Sequence, residues 1–249
     1  MPTSIGVTLL SGGLDSTTVT VYAQQHVDRL TAVTFNYDQN HSKEVECART
    51  ITEKLGIKHR LIDIGFLRQI AWYSALTNPE AFPIPKDNPN NKIGTSIPIT
   101  YVPLRNTIFV SMAGALIESE VLHAIEAEGV VASDVTARLY MAPNAVDYSG
   151  YPDCRPEFFQ QISETLRYGS KLGTEYGVKI QIETPIIQMS KSEIVEMGVR
   201  LDAPLEDTWS CYEGDEIPCG HCDSCILRAR GFLEAGISDP LLDRLREVE

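Results

Sequence analysis

The sequence is short of positive charge. Its 21 lysines and arginines stand against 34 aspartates and glutamates, a net charge of −13 over 249 residues. Phosphate backbones are held by clustered basic side chains, so this balance disfavours a large nucleic acid and favours a small-molecule ligand, with tRNA left open to a local basic patch. The opening residues, MPTSIGVTLLSGG, have no basic segment, and their apolar run is too short for a secretory signal. No window is expected to be long and apolar enough to cross a bilayer. A cytoplasmic protein without a membrane partner is the expectation. In that compartment the six cysteines read as thiols or metal ligands rather than disulfides. Internal repeats and low-complexity tracts are also missing.

What is present fits an ordinary soluble core, with 43% hydrophobic and 22% charged residues. The length suits one large α/β domain or a domain with a small appendage. Apolar β-rich runs at 5–10 (IGVTLL), 30–35 (LTAVTF), 59–63 (HRLID), 138–142 (RLYMA) and 179–183 (KIQIE) alternate with helical periodicity. The helical stretches are 15–26, 42–55, 105–122, 156–169, 190–197 and 222–235. Mostly unbroken apolar strands in such alternation predict a parallel sheet covered on both faces. Its ligand would sit outside the carboxyl ends of the strands, near the switch point. Between Trp72 and Pro103 the pattern collapses into prolines at 79, 83, 85, 89, 98 and 103 and the polar stretch KDNPNNK. A loop of that length is either functional or a disordered excursion.

Residues 10–17 read LSGGLDST, directly after the first strand and at the start of the first helix. A strand, a glycine turn and a helix N-terminus present free N–H groups and a positive dipole end to an anion. Gly12 and Gly13 allow close approach, and Ser11, Ser16 and Thr17 add hydroxyl donors. The stretch has neither GxxxxGK[ST] nor GxGxxG, so it is not a Walker loop and is a poor dinucleotide fingerprint. Because Asp15 and Ser16 are also good capping residues, a plain capped turn is the competing reading.

A second constellation lies near the other end, in CYEGDEIPCGHCDSC: Cys211, Cys219, Cys222 and Cys225. Three thiols on a glycine-bearing turn plus a fourth upstream can converge into a tetrahedral S₄ site. Four thiolates with no open position favour structural Zn²⁺ over an iron–sulfur cluster. His221 lies inside this knot without needing a ligand role, and Cys47 and Cys154 default to packing.

SGGLDST resembles the pyrophosphate loop of the adenine-nucleotide α-hydrolases, which adenylate a substrate oxygen and release pyrophosphate. DYSGYPDCRPEF (147–158), TWSCY (208–212) and CGHCDSCILRARGF (219–232) together resemble the 7-cyano-7-deazaguanine synthase family, and the match runs from the first strand to about Phe232. The resemblance implies a Rossmann-like, doubly wound α/β fold: an ATP-binding domain over 1–200 and a zinc-binding C-terminal segment, 201–249, packed on it. It also implies a reaction. ATP, with Mg²⁺, adenylates the carboxylate of 7-carboxy-7-deazaguanine, ammonia gives the amide, and a second activation gives the nitrile.

Carried over by position, Leu10, Ser11, Gly12, Gly13, Leu14, Asp15, Ser16, Thr17 and Thr18 would bind ATP. Arg105 and Asn106, in VPLRN where the family shows VPGRN, would contact nucleotide or phosphate. Tyr37 and Gln39, with Asp147, Tyr148, Gly150, Tyr151 and Asp153, would hold the flat base, and Arg155 its carboxylate. Lys191, a cation at a predicted helix start, would bind phosphate, and Asp15, Arg105, Arg155 and Lys191 form the expected catalytic set.

A homodimer is also implied. Asp38, Leu104 and Ala142-Pro143 replace glycine-containing family patterns, which opens an alternative acceptor, a protein amine, as in homologues from phage-defence clusters. A non-catalytic nucleotide-binding regulator is the third reading.

Overall fold

A computed structural model describes residues 2–37, 43–86, 97–144, 151–213 and 216–247. Among the described residues, five strands pair in parallel in the order β3-β2-β1-β4-β5. They are β1 (Thr3–Leu9), β2 (Arg29–Asn36), β3 (Lys58–Asp63), β4 (Val135–Tyr140) and β5 (Ile180–Glu183). Register follows pairs such as Val7 with Thr31 and Val7 with Leu139. The central strands are buried on both faces, which is why they read as continuous apolar runs, while edge strand β3 is largely exposed or half-buried.

The helices are α1 (Leu14–Gln24), α2 (Lys43–Leu55), the single turn α3 (Leu67–Ile70), α4 (Arg105–Glu126), α5 (Pro156–Gly169), the single turn α6 (Lys171–Thr174), α7 (Lys191–Arg200), α8 (Asp223–Ala235) and α9 (Pro240–Glu247). Helices α4 and α5 cover one sheet face through a cluster that includes Val7, Val33, Val110, Ile117, Leu139 and Phe159. On the other face α1, α7 and α8 share Leu14, Val19, Tyr140, Ile194, Leu205 and Phe232. The doubly wound architecture expected from the alternation is therefore present. Its switch point falls at β1, where the connections leave in opposite directions toward β2 and β4 and open a crevice at the carboxyl ends.

Three details depart from the sequence reading. Strand β4 begins at Val135 and ends at Tyr140, so Met141 and Ala142 leave the sheet toward the crevice. Helix α4 extends to Glu126 and contains an 18-residue window of mean hydropathy 1.5, long and apolar enough to cross a membrane. That corrects the expectation that no such window exists. Its apolarity has another cause here, since Val110, Ala113, Ile117, Val121 and Ala124 form a stripe buried against the sheet. The third departure is α9 (PLLDRLRE), which buries Leu241 and packs Leu245 against the cysteine cluster. Long-range pairs hold it: Asp239 receives two bonds from the buried Arg228, at 2.7 and 2.9 Å, and Arg244 donates to Asp207 at 2.7 Å.

Of the long 72–103 segment, the described part is irregular but anchored. Lys86 pairs in an antiparallel bridge with Cys222, and Ile84 packs against the cysteine cluster. At the other end Thr100 bonds the Tyr151 hydroxyl at 3.0 Å.

Candidate active site

The β1–α1 turn is shaped by one glycine. Gly12 has φ +89°, and a Cβ there would stand 2.2 Å from the Glu44 carbonyl oxygen at the start of α2. Only glycine accepts both the left-handed backbone and that approach. The turn is then cross-tied. Ser16 Oγ donates to the Gly13 carbonyl at 3.1 Å and lies 3.0 Å from Ser11 Oγ, and Thr17 Oγ1 donates to the same carbonyl at 2.8 Å. Thr18 Oγ1 bonds the Leu14 carbonyl inside the helix. No described side chain caps the N-terminus of α1, and Gly13 at its N-cap is extended. A helix start without a side-chain cap leaves N–H groups that can receive an anion.

This turn forms one wall of a cavity of ≈ 330 Å³. Leu10, Ser11, Asp15 and Ser16 line the polar side, where Lys191 Nζ reaches across from α7 to both Asp15 oxygens at 2.9 and 2.7 Å. A capping box between Ser190 and Glu193 fixes the start of α7 and thus the lysine. Gly231 of α8 lies so close beneath it that a Cβ would stand 2.4 Å from Lys191 Cγ. Phe35, Tyr37, Phe109, Met141 and Tyr151 give the same cavity an apolar, largely aromatic lining. Burial pushes the Tyr37 and Tyr151 hydroxyls above their ordinary pKa, so both stay neutral donors. Arg105, at the start of α4, lines the cavity and donates to Tyr37 Oη at 3.4 Å. Burial alone would lower its pKa, but the net shift is upward and the guanidinium stays charged.

The expected residues therefore divide. Leu10, Ser11, Asp15, Ser16, Tyr37, Arg105, Asn106, Tyr151 and Lys191 meet at the cavity, while Gly12, Gly13, Leu14, Thr17 and Thr18 build the turn behind it. Asp153 does not face the cavity. It is buried, with its carboxylate accepting the Asn106 N–H at 3.1 Å at the start of α4, and burial raises its pKa. Asn106 returns its side-chain amide to the Asp153 carbonyl at 3.0 Å, so this pair positions Arg105. Arg155 is exposed at the N-cap of α5 and is not among the cavity-lining residues. Gln39, Asp147, Tyr148 and Gly150, and likewise Asp38, lie outside the described residues.

Reading the sequence alone missed Glu44, Phe109, Asn144 and Tyr212 on the cavity wall. Asn144 also donates to the Met189 carbonyl at 2.7 Å, joining the end of β4 to the segment before Lys191.

The four-cysteine set converges, with all four sulfurs within 4.8 Å of one another. Cys219 Sγ and Cys225 Sγ are 3.9 Å apart, close to the ~3.8 Å edge of a tetrahedron with zinc–sulfur bonds of about 2.3 Å. Backbone N–H groups of Glu213 and Cys219 point at Cys211 Sγ at 3.4 Å. Neighbouring Cys222 and Cys225 thiols hold the Cys211 thiol well below its ordinary range. The donor set fits Zn²⁺ as a closed structural site.

Residues 5–236 match the family model described as queuosine biosynthesis protein QueC. The chain belongs to the QueC family. It is 41% identical over 235 residues to the 7-cyano-7-deazaguanine synthase of Thermoplasma acidophilum, covering 94% of this chain and 90% of that one. It is 42% identical over 237 residues to the synthase of Trichodesmium erythraeum, covering 95% and 99%. Among solved structures, an NMN synthetase from Francisella tularensis covers 97% of this chain and 77% of its own at 17% identity, with a TM-score of only 0.39.

Leucine stands at 104, in VPLRN, just before α4. It is left-handed, with φ +54° at the N-cap of α4, a conformation that favours glycine, and is 60% exposed. Its side chain is not among those lining the cavity, so it costs backbone strain without reshaping that wall, whereas Ala142 and Pro143 do line it. A left-handed leucine costs roughly 1–2 kcal/mol. Leu104→Gly should accordingly stabilise the protein by about 1 kcal/mol, read as a rise in denaturant midpoint at unchanged slope. An unchanged or lower midpoint would contradict the strain.

Proposed function

We propose that the chain is an ATP-dependent ligase that adenylates 7-carboxy-7-deazaguanine and, with ammonia, converts it through the amide to 7-cyano-7-deazaguanine. The observation that carries this reading is the joining, in one cavity, of an uncapped helix start behind Gly12 to an aromatic lining. That is a seat for polyphosphate beside a seat for a purine-like base, in a chain whose relatives are named for that product.

Ser11, Ser16 and the first N–H groups of α1 receive the leaving pyrophosphate. Lys191 exchanges its Asp15 partner for phosphate oxygens, and Arg105 offsets charge growing at the α-phosphorus. The substrate carboxylate oxygen bonds to that phosphorus as pyrophosphate departs. Ammonia then bonds to the acyl carbon, loses a proton, and AMP leaves with the former carboxylate oxygen. The amide oxygen repeats the attack on a second ATP. Loss of AMP and of the two remaining N–H protons leaves the nitrile. Mg²⁺, held at the Asp15 carboxylate, would supply charge neutralisation for the polyphosphate. Zn²⁺ would be held by Cys211, Cys219, Cys222 and Cys225 and supply folding energy rather than chemistry. Tyr37, Phe109 and Tyr151 orient the base and exclude water.

Substrate labelled with oxygen-18 in its carboxylate tests the route. Each AMP should carry one labelled oxygen. Label in inorganic phosphate together with ADP would indicate an acyl phosphate and refute adenylation.

A further inference from the structure

The cysteine knot and the phosphate turn are far apart in sequence but share a backbone hydrogen bond. Trp209 N–H donates to the Gly12 carbonyl at 2.8 Å, and a Cβ on Gly13 would lie 3.5 Å from the Trp209 carbonyl oxygen. The irregular segment carrying Trp209 enters the knot two residues later. Cys211, one of the four thiols, lines the same cavity as Ser11 and Asp15, as does Tyr212. The Trp209 indole is buried in the cluster that contains Cys211, Cys222 and Cys225, so it moves with the knot. On its other side Lys43 stands 4.6 Å over the indole ring and donates to the Glu216 carbonyl at 3.3 Å. Glu44, the next residue, supplies the carbonyl that closes over Gly12. The turn is thus clamped between α2 and the knot, and both clamps meet at Trp209.

We propose that the metal-loaded knot positions the phosphate turn through Trp209, so that metal retention and nucleotide binding are thermodynamically linked; this rests on the nucleotide reading above. Four thiolates around one ion fix where segment 208–212 runs. Without the ion they are free to repel and separate, and the Gly12 carbonyl loses its fixed donor. The coupling must be reciprocal: if the ion favours nucleotide, nucleotide favours the ion by the same factor. Trp209 is a positioning residue in this account and touches no reacting atom.

The sequence has two tryptophans, and Trp72 is exposed and outside the cavity. Trp72→Phe therefore leaves Trp209 as the sole reporter. In this variant, without denaturant, zinc release to a chelating indicator is followed with and without a saturating non-hydrolysable ATP analogue. Binding of the analogue is checked in the same sample by equilibrium dialysis. The analogue should slow release at least fivefold. Stripped protein with unchanged far-ultraviolet circular dichroism should bind it at least tenfold more weakly, with a red shift of Trp209 emission. Should stripping unfold the chain, the release measurements on loaded protein still decide. Equal release rates together with equal partition of zinc to the chelator at equilibrium, despite bound analogue, overturn the coupling and leave the nucleotide reading standing. Loaded protein that does not bind the analogue overturns the nucleotide reading, and the coupling with it.

Discussion

Gly12→Ala should lower AMP release more than a hundredfold and weaken the fold. The added methyl would lie 2.2 Å from the Glu44 carbonyl oxygen and 3.0 Å from the Ala48 nitrogen, both backbone atoms of α2 that cannot rotate aside. The position also sits at φ +89°, where an L side chain is strained whatever space it has. Relief requires the turn or the start of α2 to move, and either takes the N–H groups of α1 off the phosphate positions. Losing a single preorganised donor costs on the order of 10²–10³ in rate at comparable sites, so moving several together should exceed the lower end. Asp15→Ala is the contrasting variant. It removes the Lys191 partner from a polar wall, so turnover should fall to background while the thermal midpoint changes little. An active Gly12→Ala enzyme would mean that the turn does not seat phosphate.

Cys222→Ser should abolish metal binding and loosen the C-terminal segment. Cys222 is fully buried, its N–H points at Cys219 Sγ at 3.4 Å, and its strand bridge to Lys86 ties the knot to the long irregular segment. Structural zinc contributes roughly 10–16 kcal/mol in peptides that fold around it. Even a fraction of that suffices to open the loop around the knot, whose other support is the small cluster of Trp209, Ile84, Leu241 and Leu245. Elemental analysis should give one zinc per chain for the unaltered protein and none for the variant, and limited proteolysis should cut the variant between 205 and 225. Iron with visible charge-transfer absorption in the unaltered protein would overturn the zinc assignment.

Much of this was legible before any fold was known, for reasons that differ from place to place. The central strands declared themselves because burial on both faces demands unbroken apolar runs, and β3, at the edge, was legible only from its β-rich stretch. The knot was legible because metal geometry constrains residue type and spacing together. LSGGLDST was legible as a tight glycine turn between strand and helix, but the reason for Gly12 was not, since it lies in the backbone of a helix more than thirty residues away. Asp153 and Arg155 show the limit of carrying a role over by position. Both are polar residues in a motif, yet one caps α4 from the interior and the other stands in solvent. Glu44 escaped notice because the start of α2 reads as a solvated charged face, and only the packing of α2 on the turn brings it to the cavity. Helix α9 escaped because it is short: Leu241 and Leu245 pack on the cysteine cluster, and the Arg228–Asp239 and Arg244–Asp207 pairs add ties from residues distant in sequence.

The central claim is that one cavity activates a deazaguanine carboxylate with ATP and ends at a nitrile. Mass spectrometry of the small molecules, from purified protein with 7-carboxy-7-deazaguanine, ATP, Mg²⁺ and ammonium, tests it most directly. The account predicts the amide as an intermediate and 7-cyano-7-deazaguanine as the end product, two AMP per nitrile, and no AMP without the deazaguanine. Adenylate that accumulates with ammonium present, or base mass found on an added protein instead of in a nitrile, would contradict it.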